Sequence, residues 1–201
     1  MRKVKELVKD SIFCAIICAF IMLFNFLTPA DYLYISLIII VFLGCYFQNK
    51  TIVRSIISSL IIFSISFLIL NPLYVPVFIL PSLIIGIIST LFLKSNMKFI
   101  YFLLILTAIT FAVNMVIEVM FADLIMNMGL VDYILLDDTF GMQDIILQFK
   151  EIFIIVYIVA VGLISFMEVL ILHMVNKIYK RRIMPILGEK LETGVKANEK
   201  E

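Results

Sequence analysis

Apolar residues run through this chain in long blocks separated by short polar breaks. A helix rises 1.5 Å per residue, so roughly 20 apolar residues are needed to cross a hydrocarbon core about 30 Å thick. Six blocks meet or approach that length: 11–28, 32–48, 52–70, 73–93, 99–122 and 152–177. The second is the shortest, bounded by Pro29 and Asp31 before it and by Gln48, Asn49 and Lys50 after it. The third and fourth are parted by Asn71-Pro72, and Pro76 and Pro81 follow, which predicts an irregular or kinked start to the fourth helix. One helix over the whole of 52–93 would exceed about 60 Å, twice the thickness of the core, so a turn at Asn71-Pro72 is expected instead. The predicted fold class is all-α: a polytopic membrane protein built as a six-helix transmembrane bundle.

The basic residues orient these spans. With the N-terminus in the cytoplasm, fifteen of the sixteen lysines and arginines fall on the inner side, and Lys150 alone lies outside. Six spans and a cytoplasmic location for both ends support each other, because an odd number would break the alternation. Tyr32, Tyr34 and Tyr74 would then mark the outer interface, and Tyr46, Tyr101 and Tyr179 the inner one. The remaining long connection, 123–150, is external. It carries Asp123, Asp132, Asp137, Asp138 and Asp144 among apolar residues and is expected to lie at the interface or fold over the bundle, broken by Gly129 and Gly141. Residues 183–201 form a charged cytoplasmic tail. The expected location is the plasma membrane, crossed several times.

Composition narrows the function. Hydrophobic residues make up 64% of the chain and charged residues 15%, against about 25% charged in ordinary soluble domains. The mean hydropathy is +1.17. A net charge of +1 offers no basis for binding nucleic acid. Cys14, Cys18 and Cys45 sit in apolar runs without CxxC spacing or a histidine partner, so they are read as packing residues and no metal is expected. The basic start followed by an apolar run resembles a signal peptide, but it lacks a small-residue cleavage site and further spans follow. A retained first helix is therefore expected. HExxH, GxSxG and Walker A motifs are missing, and a single histidine leaves little material for metal or triad chemistry, so the chain is not read as an enzyme and no cofactor is expected.

Polar residues inside spans are the candidates for function, since an ionisable group at the centre of a membrane helix costs about 2.5–3.5 kcal/mol on insertion scales. Asn114 and Glu118, one turn apart, share a face near the outer end of the fifth span, with Asp123 further out. Asn25 lies near the outer end of the first. Together they outline an outward cavity that would meet a ligand's donors or positive charge. The plainer alternatives are solvation of Glu118 at the interface, pairing with another helix, and a backbone hydrogen bond from Asn25. In the sixth span, Glu168 and His173 are five residues apart, a rotation of about 140°, so they do not share a face for a metal. Glu168 is expected to pair with Arg54 or Lys94 or to contact a partner protein, and His173 to sit at the interface. Small residues four apart favour close helix contact. Ser55 with Ser59 and Ser82 with Gly86 are read as packing within the bundle. Ala15 with Ala19 is read as packing or as a flat face that docks another membrane protein.

Six spans, both ends inside and about 200 residues resemble the substrate-binding S components of energy-coupling-factor transporters, and within them the YybS-like bacterial membrane proteins. The stretches that carry the likeness are Asn71-Pro72-Leu73 through Leu80-Pro81-Ser82 to Gly86, the acidic outer segment, residues 152–176, and the closing Lys177-Ile178-Tyr179-Lys180-Arg181-Arg182. The resemblance implies a ligand cavity open to the outside. It also implies a first-helix face, here Ala15 and Ala19, that docks a transmembrane scaffold protein with associated ATPases driving uptake. S components for nickel or cobalt carry a histidine at the N-terminus; this chain begins Met1-Arg2, which argues against a metal substrate. The other function class consistent with the pattern is a non-catalytic scaffold of the MreD-like cell-shape type.

Overall fold

In the computed structural model, which describes residues 2–27, 32–70, 75–95, 97–127, 129 and 150–186, the chain is helical and the described residues include no strand. Among the described residues six long helices carry the fold: α1 (Arg2–Leu27), α2 (Tyr32–Phe47), α3 (Ile52–Ile69), α4 (Leu80–Lys94), α5 (Phe99–Met120) and α6 (Lys150–Ile178). A π-helical turn, Val75–Ile79, leads into α4, and others close α5 (Phe121–Ile125) and follow α6 (Tyr179–Ile183). The irregular start expected for the fourth helix is thus a widened turn carrying Pro76, with Pro81 just past it in the first turn of α4.

Five of these segments are long and apolar enough to cross a membrane: Glu6–Phe24, Ile52–Ile69, Val75–Lys94, Phe99–Asp123 and Ile152–Ile183. The sixth helix, α2, has 16 residues, about 24 Å of helix. It is also the best-covered element. Ile35, Ile39, Ile40, Leu43, Gly44, Cys45 and Phe47 are all buried, and α2 packs against α1, α3, α4 and α6. A helix apolar all round and enclosed by protein has no lipid thickness to match. The other helices turn apolar side chains outward, among them Leu60, Leu68, Ile100, Leu104, Ile155 and Leu163. Exposed apolar surface on every side suits a protein whose solvent is hydrocarbon.

The core divides around α2. One cluster joins Phe13, Ile17 and Ile21 of α1 to Ile39, Leu43 and Phe47 of α2, Ile62 of α3 and Ile79. The other joins Ile40 and Val41 of α2 to Ile85 and Leu93 of α4, Phe102 and Leu106 of α5, and Val169 and Leu172 of α6. The α2–α4 contact is the most extensive in the molecule, and glycines make it possible. A Cβ on Gly86 would lie 2.9 Å from Leu43 Cδ1 and 3.0 Å from Leu43 Cβ; one on Gly44 would lie 3.0 Å from Leu172 Cδ1 and 3.3 Å from Ser89 Cβ. The pair Ser82 and Gly86 therefore works as a packing pair. On α3, Ser55, Ser58, Ser59 and Ser66 are buried. The Cys14 thiol donates to the Ser58 carbonyl at 3.9 Å, so α1 meets α3 through small residues.

The first helix begins well before its apolar block, at Arg2 and not near residue 11. Acidic side chains of that leading turn are tied down. Asp10 accepts from Lys50 Nζ at 3.1 Å through Oδ1, and from Arg54 Nε at 2.6 Å through Oδ2. Arg54 Nη1 also reaches Glu6 Oε2 at 2.8 Å, and Tyr46 donates to Asp10 at 3.1 Å. Lys50 lies 3.1 Å over the Tyr46 ring, which stacks on Phe13. At the same end Asn49 donates to Met184 Sδ, beyond α6. The beginning of α1 and the chain after α6 therefore meet at one end of the bundle.

Candidate functional site

Glu168 belongs to a stripe of α6 that faces inward. Val161, Ser165, Glu168, Leu172, Asn176 and Tyr179 follow one another at helical spacing and are all buried. Glu168 is 6% exposed. It lies eleven residues before Tyr179, and Ser36 lies ten before Tyr46, which puts both about 15 Å from the end marked by these two tyrosines, half the thickness of a hydrocarbon core.

No cation meets it. Arg54 is held by Glu6 and Asp10, and Lys94 is exposed at the end of α4, so the pairing with Arg54 or Lys94 expected from the sequence is replaced by hydroxyl contacts. The reason is geometric: both cations sit at the polar end of the bundle, a dozen or so residues along their helices from the level of Glu168. Glu168 Oε1 lies 3.2 Å from Ser36 Oγ of α2. Ser36 Oγ lies 2.9 Å from Ser82 Oγ of α4, and Ser82 in turn donates to the Phe78 carbonyl. From α5, the side chain of Asn114 acts on the same carboxyl. Oε2 of Glu168, Oγ of Ser165 and Oγ1 of Thr110 are buried without a hydrogen-bond partner among the described residues. Four helices thus turn polar atoms into one interior region where an unpaired polar group is costly.

The strip expected along α5 is divided. Glu118 is bonded to the Tyr157 hydroxyl of α6, whereas Asn114, one turn earlier, turns to Glu168. Asp123 is exposed in the π-turn that closes α5. The side chain of Asn25 and the segment from 130 to 149 lie outside the described residues, as does any cavity beneath that segment. Ala15 and Ala19 occupy the exposed face of α1, while Cys14 and Cys18 beside them point inward. His173 is half-buried against Phe99 and Phe102, with ring centroids 4.5 and 5.7 Å away. Among the described residues no three of His, Cys, Asp and Glu converge as metal ligands.

An apolar groove of about 320 Å³ lies at the Tyr46–Tyr179 end, between α1, α2 and α6, lined by Phe13, Ile16, Phe42, Tyr46, Val175 and Tyr179. Its lining is nearly all apolar, with Lys9, Tyr46 and Tyr179 as the residues that carry polar groups. The sequence singles out Glu168 and Ser82 but not Ser36, which the fold brings to the carboxyl, nor the buried hydroxyls of Ser165 and Thr110. The signal was the three-residue spacing of Ser165 and Glu168 within an apolar helix; the serines of α2 and α4 gave none, because isolated serines are ordinary in membrane helices. Comparison with known proteins brings out no similarity: no family model, no curated protein and no solved structure matches the chain.

Proposed function

We propose that this chain is the membrane-embedded solute-binding component of a transport system, similar to the S components of energy-coupling-factor transporters and to the YybS-like proteins. In this reading it crosses the plasma membrane six times with both ends in the cytoplasm. α2 is the sixth crossing, made short because neighbouring helices shield it from lipid. The observation that carries the reading is the meeting of Glu168, Ser36, Ser82 and Asn114 inside the bundle, with Glu168 Oε2 unpartnered among the described residues. Packing alone needs no carboxyl there, and apolar residues would fill the space at lower cost. A small, donor-rich or cationic molecule entering from outside would satisfy those acceptors. Asn25, Glu118 and Asp123 would lie along its path. The exposed Ala15–Ala19 face would receive a transmembrane scaffold with its ATPases, since the chain has no nucleotide-binding motif of its own.

The test is a thermal-stability screen of the purified protein in detergent against amine-bearing metabolites and vitamins. A ligand at 100 times its Kd stabilises by about 2.7 kcal/mol. The expected result is stabilisation by a donor-rich compound that Glu168→Gln removes, and loss of scaffold copurification on replacing Ala15 and Ala19 by leucine. Stabilisation by no compound, together with copurification of cell-wall proteins, would point instead to the MreD-like scaffold role, for which the same small-residue face is the supporting feature.

A further inference from the structure

The three oxygen contacts that lead from Glu168 to Phe78 can be counted for hydrogens. Phe78 offers a carbonyl, which only accepts, so Ser82 commits its one hydrogen there. With that hydrogen on the carbonyl, the hydroxyl hydrogen of Ser36 is the one that fills the 2.9 Å contact between Ser82 and Ser36. In that arrangement Ser36 accepts at its 3.2 Å contact with Glu168, and the hydrogen there comes from the carboxyl. Two hydroxyls and a carboxylate bring two hydrogens to three contacts, so Ser82 would have to share one hydrogen between Phe78 and Ser36. Two hydroxyls and a carboxylic acid bring three.

The surroundings agree with the count. From α2 the facing group is Ser36; that helix carries no charge, and Cys45 and Tyr46 lie at its far end. From α4 it is Ser82; the one charge of α4, Lys94, is exposed at its end. From α5 it is Asn114, with Glu118 bonded to Tyr157 and Tyr101 exposed. On α6 itself, His173 lies on another face against Phe99 and Phe102. Oε2 of Glu168 lacks a hydrogen-bond partner among the described residues, a position that a neutral carbonyl oxygen tolerates at far lower cost than a carboxylate oxygen.

We propose that Glu168 is a proton-binding site: it holds one proton on Oε1 in the closed bundle, donating to Ser36 at the head of a chain that ends on the Phe78 carbonyl. Parting α2 from α6 removes the acceptor, and the proton then leaves to water admitted between the helices, with the carboxylate remaining on α6. One proton is thereby tied to one opening of the bundle, which is how intramembrane carboxyls serve proton-coupled movement. The site stands whether or not a solute binds in the bundle.

Infrared spectroscopy of the purified protein at pH 7 tests this. The expected spectrum holds the carbonyl stretch of a hydrogen-bonded carboxylic acid that is lost in Glu168→Gln and kept in Glu118→Gln. Ser36→Ala, which removes the acceptor, should raise its frequency. Absence of any Glu168-dependent acid band at pH 7 overturns the proposal. So does a band abolished when sodium chloride replaces choline chloride at constant pH, because the site would then hold sodium. If Glu168→Gln fails to fold, Ser36→Ala decides: an unmoved band overturns the proton site and a raised one supports it.

Discussion

Asp10 shows how one carboxylate can organise an end of the bundle. It receives Lys50, Arg54 and Tyr46 at once while only 13% exposed, and Lys50 is 9% exposed. Removing Asp10 takes a carboxylate away from both Lys50 and Arg54 in a largely desolvated place. Asp10→Ala should therefore cost on the order of 3 kcal/mol, read as a lowered unfolding midpoint in detergent. Glu6 touches the same arginine but is 46% exposed, and an exposed pair is worth about 0–1 kcal/mol. Glu6→Ala should change the midpoint little; an equal loss in both variants would show that the ladder of contacts has been misjudged. Glu168 is the opposite case, a carboxyl with no cation, and its neighbours are hydroxyls contributed by other helices. The charged residues of the polar end could be recognised from their clustering near the starts and ends of spans. Their pairing could not, because Asp10 and Arg54 are 44 positions apart and only the folding of α3 against α1 brings them together.

At the scale of elements, close approach of α2 and α4 depends on what is missing from Gly86. Gly86→Ala would press its new methyl against the stem of Leu43, which cannot swing aside as a side-chain tip can. Overpacking of this kind costs about 1–3 kcal/mol. Gly162 is the control: a Cβ there would meet Phe111 Cδ2 at 4.0 Å, an ordinary contact, so Gly162→Ala should be close to neutral in the same thermal assay. Equal effects from the two substitutions would show that the helix contact does not depend on the glycine. The Ser82–Gly86 spacing was legible as a packing signal. That Ser82 also joins the chain to Glu168 was not, since spacing along one helix says nothing about which residue of another faces it.

At the scale of the molecule, the described structure brings the start of α1 and the chain after α6 to one end, through Asp10, Lys50, Arg54, Asn49 and Met184. With the basic residues concentrated there, that end is expected in the cytoplasm. Single cysteines introduced at Lys3 and Lys196, in a background where Cys14, Cys18 and Cys45 are replaced by serine or alanine, should resist a membrane-impermeant thiol reagent in intact cells. One introduced at Asp137 should react. Labelling at Lys3 and Asp137 alike would overturn the orientation and with it uptake from outside.

The order of hydrophobic blocks decided by itself that the chain is helical and suited to lipid, because a helix satisfies its own backbone in a solvent that offers no hydrogen bonds, and block length alone sets whether it can cross. Lys50 likewise marked the turn between α2 and α3, and Pro76 the irregular start of α4, while the turn expected at Asn71-Pro72 lies outside the described residues. Tertiary structure alone decided that α2 is the enclosed helix, that Asn114 leaves the strip it shares with Glu118, and that Glu168 meets Ser36 and Ser82. Those outcomes depend on which faces of different helices meet. In an apolar chain nearly every face is hydrophobic, so the pattern along the sequence carries almost no information about which one turns inward.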